Sequence, residues 1–219
     1  MMGELDKRVA LVTGAGVGIG KAIALRLAEA GAFVGVHFNS SEKEAESTLE
    51  EVRNGGGEGM LLRADLANAG AAAGIVDKLV AKTRQLDILV NNAGFPLERV
   101  KLEECSLETW EKSLAVNLTG SFAVTQRAIP HLRASGNGAI INNLSLSVQT
   151  GGGGGAGPYA IAKGGLQVMT RTLARELAPE VRTNAIMPGV IETRHHERFT
   201  APERMEQYKK ETPMNRNGQ

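Results

Sequence analysis

Tyr159 and Lys163 stand four residues apart in Tyr159-Ala160-Ile161-Ala162-Lys163. On a helix that spacing puts both side chains on one face, so the lysine ammonium can lie beneath the tyrosine hydroxyl. A free phenol, with a pKa of about 10, is a sluggish base near neutrality. A cation a few ångströms away favours phenolate and moves the group towards the range where it both gives and takes a proton. That is what reduction of a carbonyl, or oxidation of an alcohol, requires. Ser145 lies upstream and Ser147 two residues later, and a hydroxyl there can hydrogen-bond an oxygen on which negative charge develops.

The chain also opens with Thr13-Gly14-Ala15-Gly16-Val17-Gly18-Ile19-Gly20. An apolar run leads into these glycines and a helical pattern follows, the arrangement in which backbone N–H groups and a helix N-terminus meet a pyrophosphate. Gly14, Gly18 and Gly20 supply the turn, the close approach and the helix–strand packing. The spacing is not GxGxxG, because the sixth position is Ile19 counted from Gly14 and Lys21 counted from Gly16.

The elements that must position these groups alternate along the chain. Val9–Val12, Phe33–Phe38, Met60–Leu62, Ile88–Val90, Ala139–Ile141 and Val181–Ile186 read as strands. Helical patterns cover Ile19–Ala30, Glu42–Arg53, Ala71–Thr83, Leu107–Ala134 and Tyr159–Ala178. Strict alternation implies right-handed crossovers and an α/β fold, a doubly wound parallel sheet with helices on both faces. Ligands in such sheets bind beyond the carboxyl ends of the strands, and the candidate residues all fall there. The run Gly151–Gly155, extended by Ala156 and Gly157, has no side chains to build a core and reads as a mobile loop at the mouth of the site.

A chain of 219 residues with 42% hydrophobic and 22% charged residues is expected to form a single globular domain over 1–219. The net charge of +1 supplies no basic field for nucleic acid. No stretch reaches the roughly 18 to 20 apolar residues that span a bilayer, and no leader pattern opens the chain, so the expectation is a cytoplasmic protein with no membrane partner. A lone Cys105 forms no internal disulfide and reads as a buried or loop thiol. His195-His196 has no supporting ligand cluster, so no metal site is expected. Trp110 and Phe122 read as core or subunit contacts.

The TGxxxGxG turn, Asn91-Asn92-Ala93-Gly94 after the fourth strand and YxxxK after the fifth together resemble the short-chain dehydrogenase/reductase family, in particular its 3-oxoacyl-acyl-carrier-protein reductase-like branch. The likeness runs over essentially the whole chain. It takes in Asp65 after the third strand, Asn117 in Val116-Asn117-Leu118-Thr119-Gly120, and Asn184-Ala185-Ile186-Met187-Pro188-Gly189 leading to Thr193.

The resemblance implies a Rossmann-like dinucleotide site. Gly14, Gly18, Ile19 and Gly20 would face the pyrophosphate, Asp65 and Leu66 the adenine, and Asn92, Ala93 and Gly94 the adenosine ribose. Pro188, Gly189, Ile191 and Thr193 would lie at the nicotinamide, with Thr193 holding its carboxamide. Tyr159 would be the general acid in reduction and the general base in oxidation. Lys163 would lower its pKa and grip the nicotinamide ribose. Asn117 would anchor a water that links Lys163 to solvent. Ser145 is taken over Ser147 because Ile140-Ile141-Asn142-Asn143-Leu144-Ser145 resembles the family's strand ending in the active serine.

Cofactor choice depends on the end of the second strand, where an acidic side chain would accept from a ribose 2′-hydroxyl and repel a 2′-phosphate. Phe38 occupies the place of that acid, and Asn39, Ser40 and Ser41 can donate to a phosphate. NADP is therefore expected over NAD, although Val17 stands where NADP-preferring members often carry a basic residue. The family commonly continues past Gln219 with a further helix and a last strand, so the expectation is either a sequence that is part of a longer protein or a member without that strand, and in the second case a sheet edge is left uncovered. The expected activity is reduction of a ketone or 3-oxoacyl thioester, or oxidation of a secondary alcohol, by a homotetramer or homodimer with a substrate loop over about 190–219. The alternatives are a nucleotide-binding regulatory protein with little catalysis and, less favoured, a nucleotide-sugar epimerase or dehydratase.

Overall fold

In a computed structural model, which describes residues 3–193, 200 and 202–219, six parallel strands form one sheet in the order β3-β2-β1-β4-β5-β6. They are β1 Val9–Val12, β2 Phe33–Phe38, β3 Gly59–Arg63, β4 Ile88–Asn91, β5 Gly138–Asn143 and β6 Val181–Ile186. The runs read from sequence as Met60–Leu62, Ile88–Val90 and Ala139–Ile141 gain two, one and three residues, because the added glycine and polar ends still pair with neighbouring strands.

Both faces of the central strands are buried, which explains why they read as continuous apolar runs. Val9 and Leu11 of β1 pack into one core with Ile75 and Leu79 of α3 (Ala69–Thr83), Val124 and Leu132 of α5 (Gly120–Ala134) and Leu173 of α7 (Gly157–Glu176). Ala10 and Val12 face the opposite core, formed with Ala24 and Ala28 of α1 (Gly18–Glu29) and Ala45 and Val52 of α2 (Glu42–Asn54). Small residues on α1 let that helix lie close to the sheet and bring its N-terminus to the end of β1. Caps set the helix starts: Asn68 accepts from the Ala71 N–H at 3.0 Å, and Ser106 accepts from the Thr109 N–H at 3.1 Å.

The long helix expected over Leu107–Ala134 is interrupted. It consists of α4 (Leu107–Leu114), a π-helical turn (Ala115–Thr119) and α5. Asn117 lies in that turn and its amide donates to the Ser113 carbonyl at 3.0 Å, taking an acceptor that the regular ladder would use. Three short elements carry no sequence signal: a 3₁₀ turn at Leu102–Glu104, α6 (Ser147–Thr150) and α8 (Pro202–Glu211). The glycine run, read as a mobile loop, is pinned: Val100 N–H donates to the Gly155 carbonyl at 2.9 Å, and Ala156 N–H to Gly152 at 3.0 Å.

Among the described residues β6 forms an edge of the sheet, and Arg182, Asn184 and Ile186 on its outward face are exposed. Phe122 is 48% exposed on the outer side of α5, so the core half of its expected role is corrected. Cys105 is a partly exposed loop thiol.

Gly120 opens α5 against the backbone after β3, where a Cβ would lie 2.4 Å from the Leu66 carbonyl oxygen. Gly74, inside α3, has nothing within 4 Å of the same position. Gly120→Ala should therefore cost about 1–3 kcal/mol, whereas Gly74→Ala should stabilise by about 0.4–1 kcal/mol. Urea unfolding of the two variants reads the difference directly.

Candidate active site

A cleft of about 1620 Å³ opens at the carboxyl ends of the strands, where the order reverses between β1 and β4. The turns after these strands meet there. Thr13 accepts at its hydroxyl from the Asn92 and Ala93 N–H groups at 2.9 and 3.0 Å. The Asn92 amide donates to the Thr13 and Gly14 carbonyls at 2.9 and 3.1 Å. Gly14 has φ +64°, and a Cβ on it would stand 2.9 Å from the Ala93 Cα, so only glycine permits this contact.

The dinucleotide half of the cleft is built from the first three strand ends. Helix α1 begins at Gly18, so its first N–H groups lack intrahelical acceptors, and Gly18, Ile19 and Gly20 line the cleft. A Cβ on Gly18 would come within 3.2 Å of Thr193 Cγ2, so Thr193 lies across from the glycine turn. Asn39, Ser40 and Ser41 line the cleft after β2. Phe38 is 3% exposed and belongs to the α1–α2 core, so Asn39 is the first freely exposed side chain there. Asp65 is exposed and accepts from the Ala67 N–H at 2.9 Å, beside buried Leu66. Gly20, Ile19, Pro188, Gly189 and Ile191 also line the cleft. Bare glycines, open N–H groups and a buried Asn143 Oδ1 with no protein partner fit a dinucleotide with polar groups along its length.

The other half holds the ionisable groups. Lys163 is 1% exposed and its Nζ donates to the Asn143 carbonyl at 2.8 Å. Burial lowers its pKa to about 8. Nζ lies 5.8 Å from the Tyr159 ring centroid. Burial pushes the Tyr159 hydroxyl above its ordinary value, and a hydrogen bond with the Ser145 side chain acts the other way. This corrects the expected lowering by Lys163: desolvation by burial dominates. Ser145 also accepts from the Ser147 N–H at 3.2 Å, whereas Ser147 Oγ is buried without a protein partner. Ser145, Ser147 and Tyr159 all line the cleft.

Asn117 is fully buried. Its Oδ1 accepts from the Phe95 N–H at 2.9 Å, and its Nδ2 donates to the Phe95 and Ser113 carbonyls at 3.1 and 3.0 Å. Both amide donors are consumed by backbone, so its side chain fixes the Phe95 turn. Gly94 separates Asn117 from Lys163. A Cβ there would lie 2.6 Å from Asn117 Oδ1 and 2.9 Å from Lys163 Nζ.

Two polar residues of this region were not singled out from the sequence. Asn143 joins the halves, its amide donating to Asn92 Oδ1 at 2.8 Å while its carbonyl accepts from Lys163. His37 reaches the glycine turn from β2, and a histidine inside Phe33–Phe38 was the available signal. His195 and His196 lie outside the described residues, as does the part of the expected substrate loop at 194–199 and 201. Among the described residues no three His, Cys, Asp or Glu side chains could hold a metal, and no helix is long and apolar enough to cross a membrane.

A doubly wound sheet with a glycine turn at its switch point and a Tyr–Ser–Lys group across the cleft defines a nicotinamide-dependent oxidoreductase. The chain belongs to the short chain dehydrogenase family, whose family model matches residues 8–204. A 3-oxoacyl-[acyl-carrier-protein] reductase of Synechocystis is 38% identical over 91% of this chain and 81% of its own length. Glucose 1-dehydrogenase 2 of Bacillus subtilis is 33% identical over 98% of this chain and 83% of its own. The crystal structure of an NADH-dependent reductase, A1-R′, responsible for alginate metabolism superposes with a TM-score of 0.88 at 31% identity, covering 98% of this chain and 85% of that one.

Because Gly94 is the spacer between Asn117 and Lys163, Gly94→Ala should push them apart. Turnover should fall by more than about tenfold, as misplaced reacting groups produce, while the thermal midpoint moves by only a few degrees. Steady-state rates and a thermal melt on the same preparation check this.

Proposed function

We propose that this protein is an NADP-preferring reductase of ketones or 3-oxoacyl thioesters, reversible towards the secondary alcohol, with Tyr159 as its general acid. The carrying observation is that Tyr159, Ser145 and buried Lys163 line one cleft with the open glycine turn. The name of the Synechocystis relative supports the acyl-thioester class. The absence of an acidic side chain at Asn39, Ser40 and Ser41 supports NADP, against the NADH dependence named for A1-R′.

Bound nicotinamide supplies the hydride. The chain has to hold the carbonyl and deliver one proton. Ser145 stabilises the substrate oxygen as charge develops on it, and Tyr159, kept protonated by its raised pKa, donates to the same oxygen. Lys163 keeps two of its three ammonium donors beyond the Asn143 bond, one for the ribose and one for the path that reprotonates Tyr159. Asn117 positions that path by fixing Phe95 and the π turn. Phe95, Leu97, Leu146 and Val190 give the substrate side an apolar lining.

The test is oxidation of NADPH and NADH by the protein with ketones and 3-oxoacyl thioesters. Tyr159→Phe should bind cofactor but lose about 10²–10⁴-fold in turnover; binding without tyrosine-dependent turnover in the unsubstituted protein would favour the regulatory reading. Reduction by the unsubstituted protein should decline as pH rises through about 8, where Lys163 loses its charge while Tyr159 remains protonated.

The assembly proposed is a homodimer or homotetramer joined through α4, α5 and α7. Leu107, Phe122, Ile161 and Val168 stand exposed on these helices, Val168 at 61%. Val168→Glu should shift the species seen by light scattering towards monomer.

A further inference from the structure

Among the described residues the mechanism leaves two buried titratable side chains unused, Asp87 and His37, and His37 is the one beside the glycine turn. His37, next to last in β2, is 2% exposed and lies between the glycine turn after β1 and the chain leaving β3. The Gly14 N–H points at its Nδ1, 3.0 Å away, and the Ala64 carbonyl lies 3.2 Å from its Nε2. A carbonyl only accepts and an N–H only donates, so the two contacts together select one form of the ring: neutral, with hydrogen on Nε2. The backbone of the same residue takes the next donor, because Ala15 N–H bonds the His37 carbonyl at 2.8 Å. From the other side the Asn92 amide holds the Gly14 carbonyl at 3.1 Å. Gly14 and Ala15 are thus tied down, and the N–H groups of Gly18, Ile19 and Gly20, ahead of the Lys21 N–H that bonds the Val17 carbonyl, are the helix donors left open.

We propose that His37 is a positioning residue for the dinucleotide: its neutral ring clamps the glycine turn to the ends of β2 and β3 and so aims the N-terminus of α1 at the pyrophosphate. The inference rests on the dinucleotide-dependent reading of the cleft given above.

The charged surroundings do not compete for the ring. Arg63 at the end of β3 pairs with Glu42 of α2 at 3.7 Å, and Asp65 accepts from the Ala67 N–H. Lys21 of α1 pairs with Glu51 at 2.8 Å, and Glu44 of α2, which lines the cleft, has its own interaction. Strand β1, the glycine turn and the opening of α3 contribute no ionisable side chain. Burial lowers the His37 pKa to about 4, against the opposing pull of the Ala64 carbonyl. The unfolded chain, with an ordinary value of 6.5, therefore takes up a proton that the folded chain refuses until about pH 4. The stability this provides is complete above about pH 6.5 and is lost as pH falls towards 4. Protonation would place a second N–H against that of Gly14.

Two substitutions separate clamp from filler. His37→Gln keeps an acceptor and a donor on one side chain, whereas His37→Phe keeps bulk and loses both. NADPH and NADH affinity should fall about tenfold in His37→Phe, with the cofactor KM rising and kcat changing far less, and should recover to within about threefold in His37→Gln. Nitrogen-15 NMR of the cofactor-free protein should show His37 as the Nε2–H tautomer across pH 6–8. Urea midpoints should fall between pH 7 and 4.5 by less in His37→Gln than in the unsubstituted protein. An Nδ1–H tautomer, an unchanged affinity in folded His37→Phe, or no recovery in His37→Gln would each overturn the clamp. If His37→Phe does not fold, the tautomer and His37→Gln decide. Failure of the unsubstituted protein to bind either dinucleotide would instead sink the cofactor reading, an outcome separate from a clamp that fails in a protein that binds.

Discussion

Burying the ammonium of Lys163 is the constraint around which the cleft is arranged. Removing such a charge from water costs several kcal/mol unless acceptors replace the lost hydration. The Asn143 carbonyl is one, and for it to be in place β5 has to run beyond its apolar residues to Asn142 and Asn143. The same burial lowers the proton affinity of the lysine and raises that of Tyr159 towards holding its proton. Space for the ammonium comes from the missing side chain of Gly94, and its floor from the π turn that lets Asn117 grip Phe95.

Strand pairing is held by polar contacts just beneath. Asn91 and Asn142 lie opposite each other on β4 and β5, and the Asn91 amide donates to Asn142 Oδ1 at 2.9 Å and to Thr125 Oγ1 at 2.8 Å. Asn142 continues to Thr170 Oγ1 at 2.8 Å. These bonds run from α5 across β4 and β5 to α7 on the same face of the sheet, all in buried surroundings where an unpaired amide would be costly. A slip of one residue in either strand would turn an asparagine to the opposite face, so the network fixes register where the lysine carbonyl partner follows.

The strands were legible because residues buried on both faces leave an uninterrupted apolar run, as in Val9–Val12. The candidate site was legible because its chemistry depends on residue type at short spacing, as with Tyr159 and Lys163. What escaped depends on long-range contact. Nothing local says that Asn117 would spend its amide on Phe95, 22 residues away, and open a π turn. The direction of the Tyr159 shift reflects how the cleft walls exclude water, which spacing does not encode. Helix α6 is four residues long, too short for a periodic signal, and Phe122 reads the same whether it faces a core or the outside.

The cleft is divided along the chain as well as in space. The glycine turn, Asn39–Ser41 and Asp65 precede Ala69, while Asn92–Gly94 and the proposed proton-handling residues follow Thr83. Helix α3 is the hinge of that division, and Asn68 caps its start through a contact made entirely within its first turn. On the proposed reading, crossing two related genes inside α3 would exchange the segment after β2 on which coenzyme preference is argued, and leave Ser145, Tyr159 and Lys163 in place. In such a lineage, adaptation to a different cellular pool of reducing power and adaptation to a different carbonyl compound can proceed as separate inheritances.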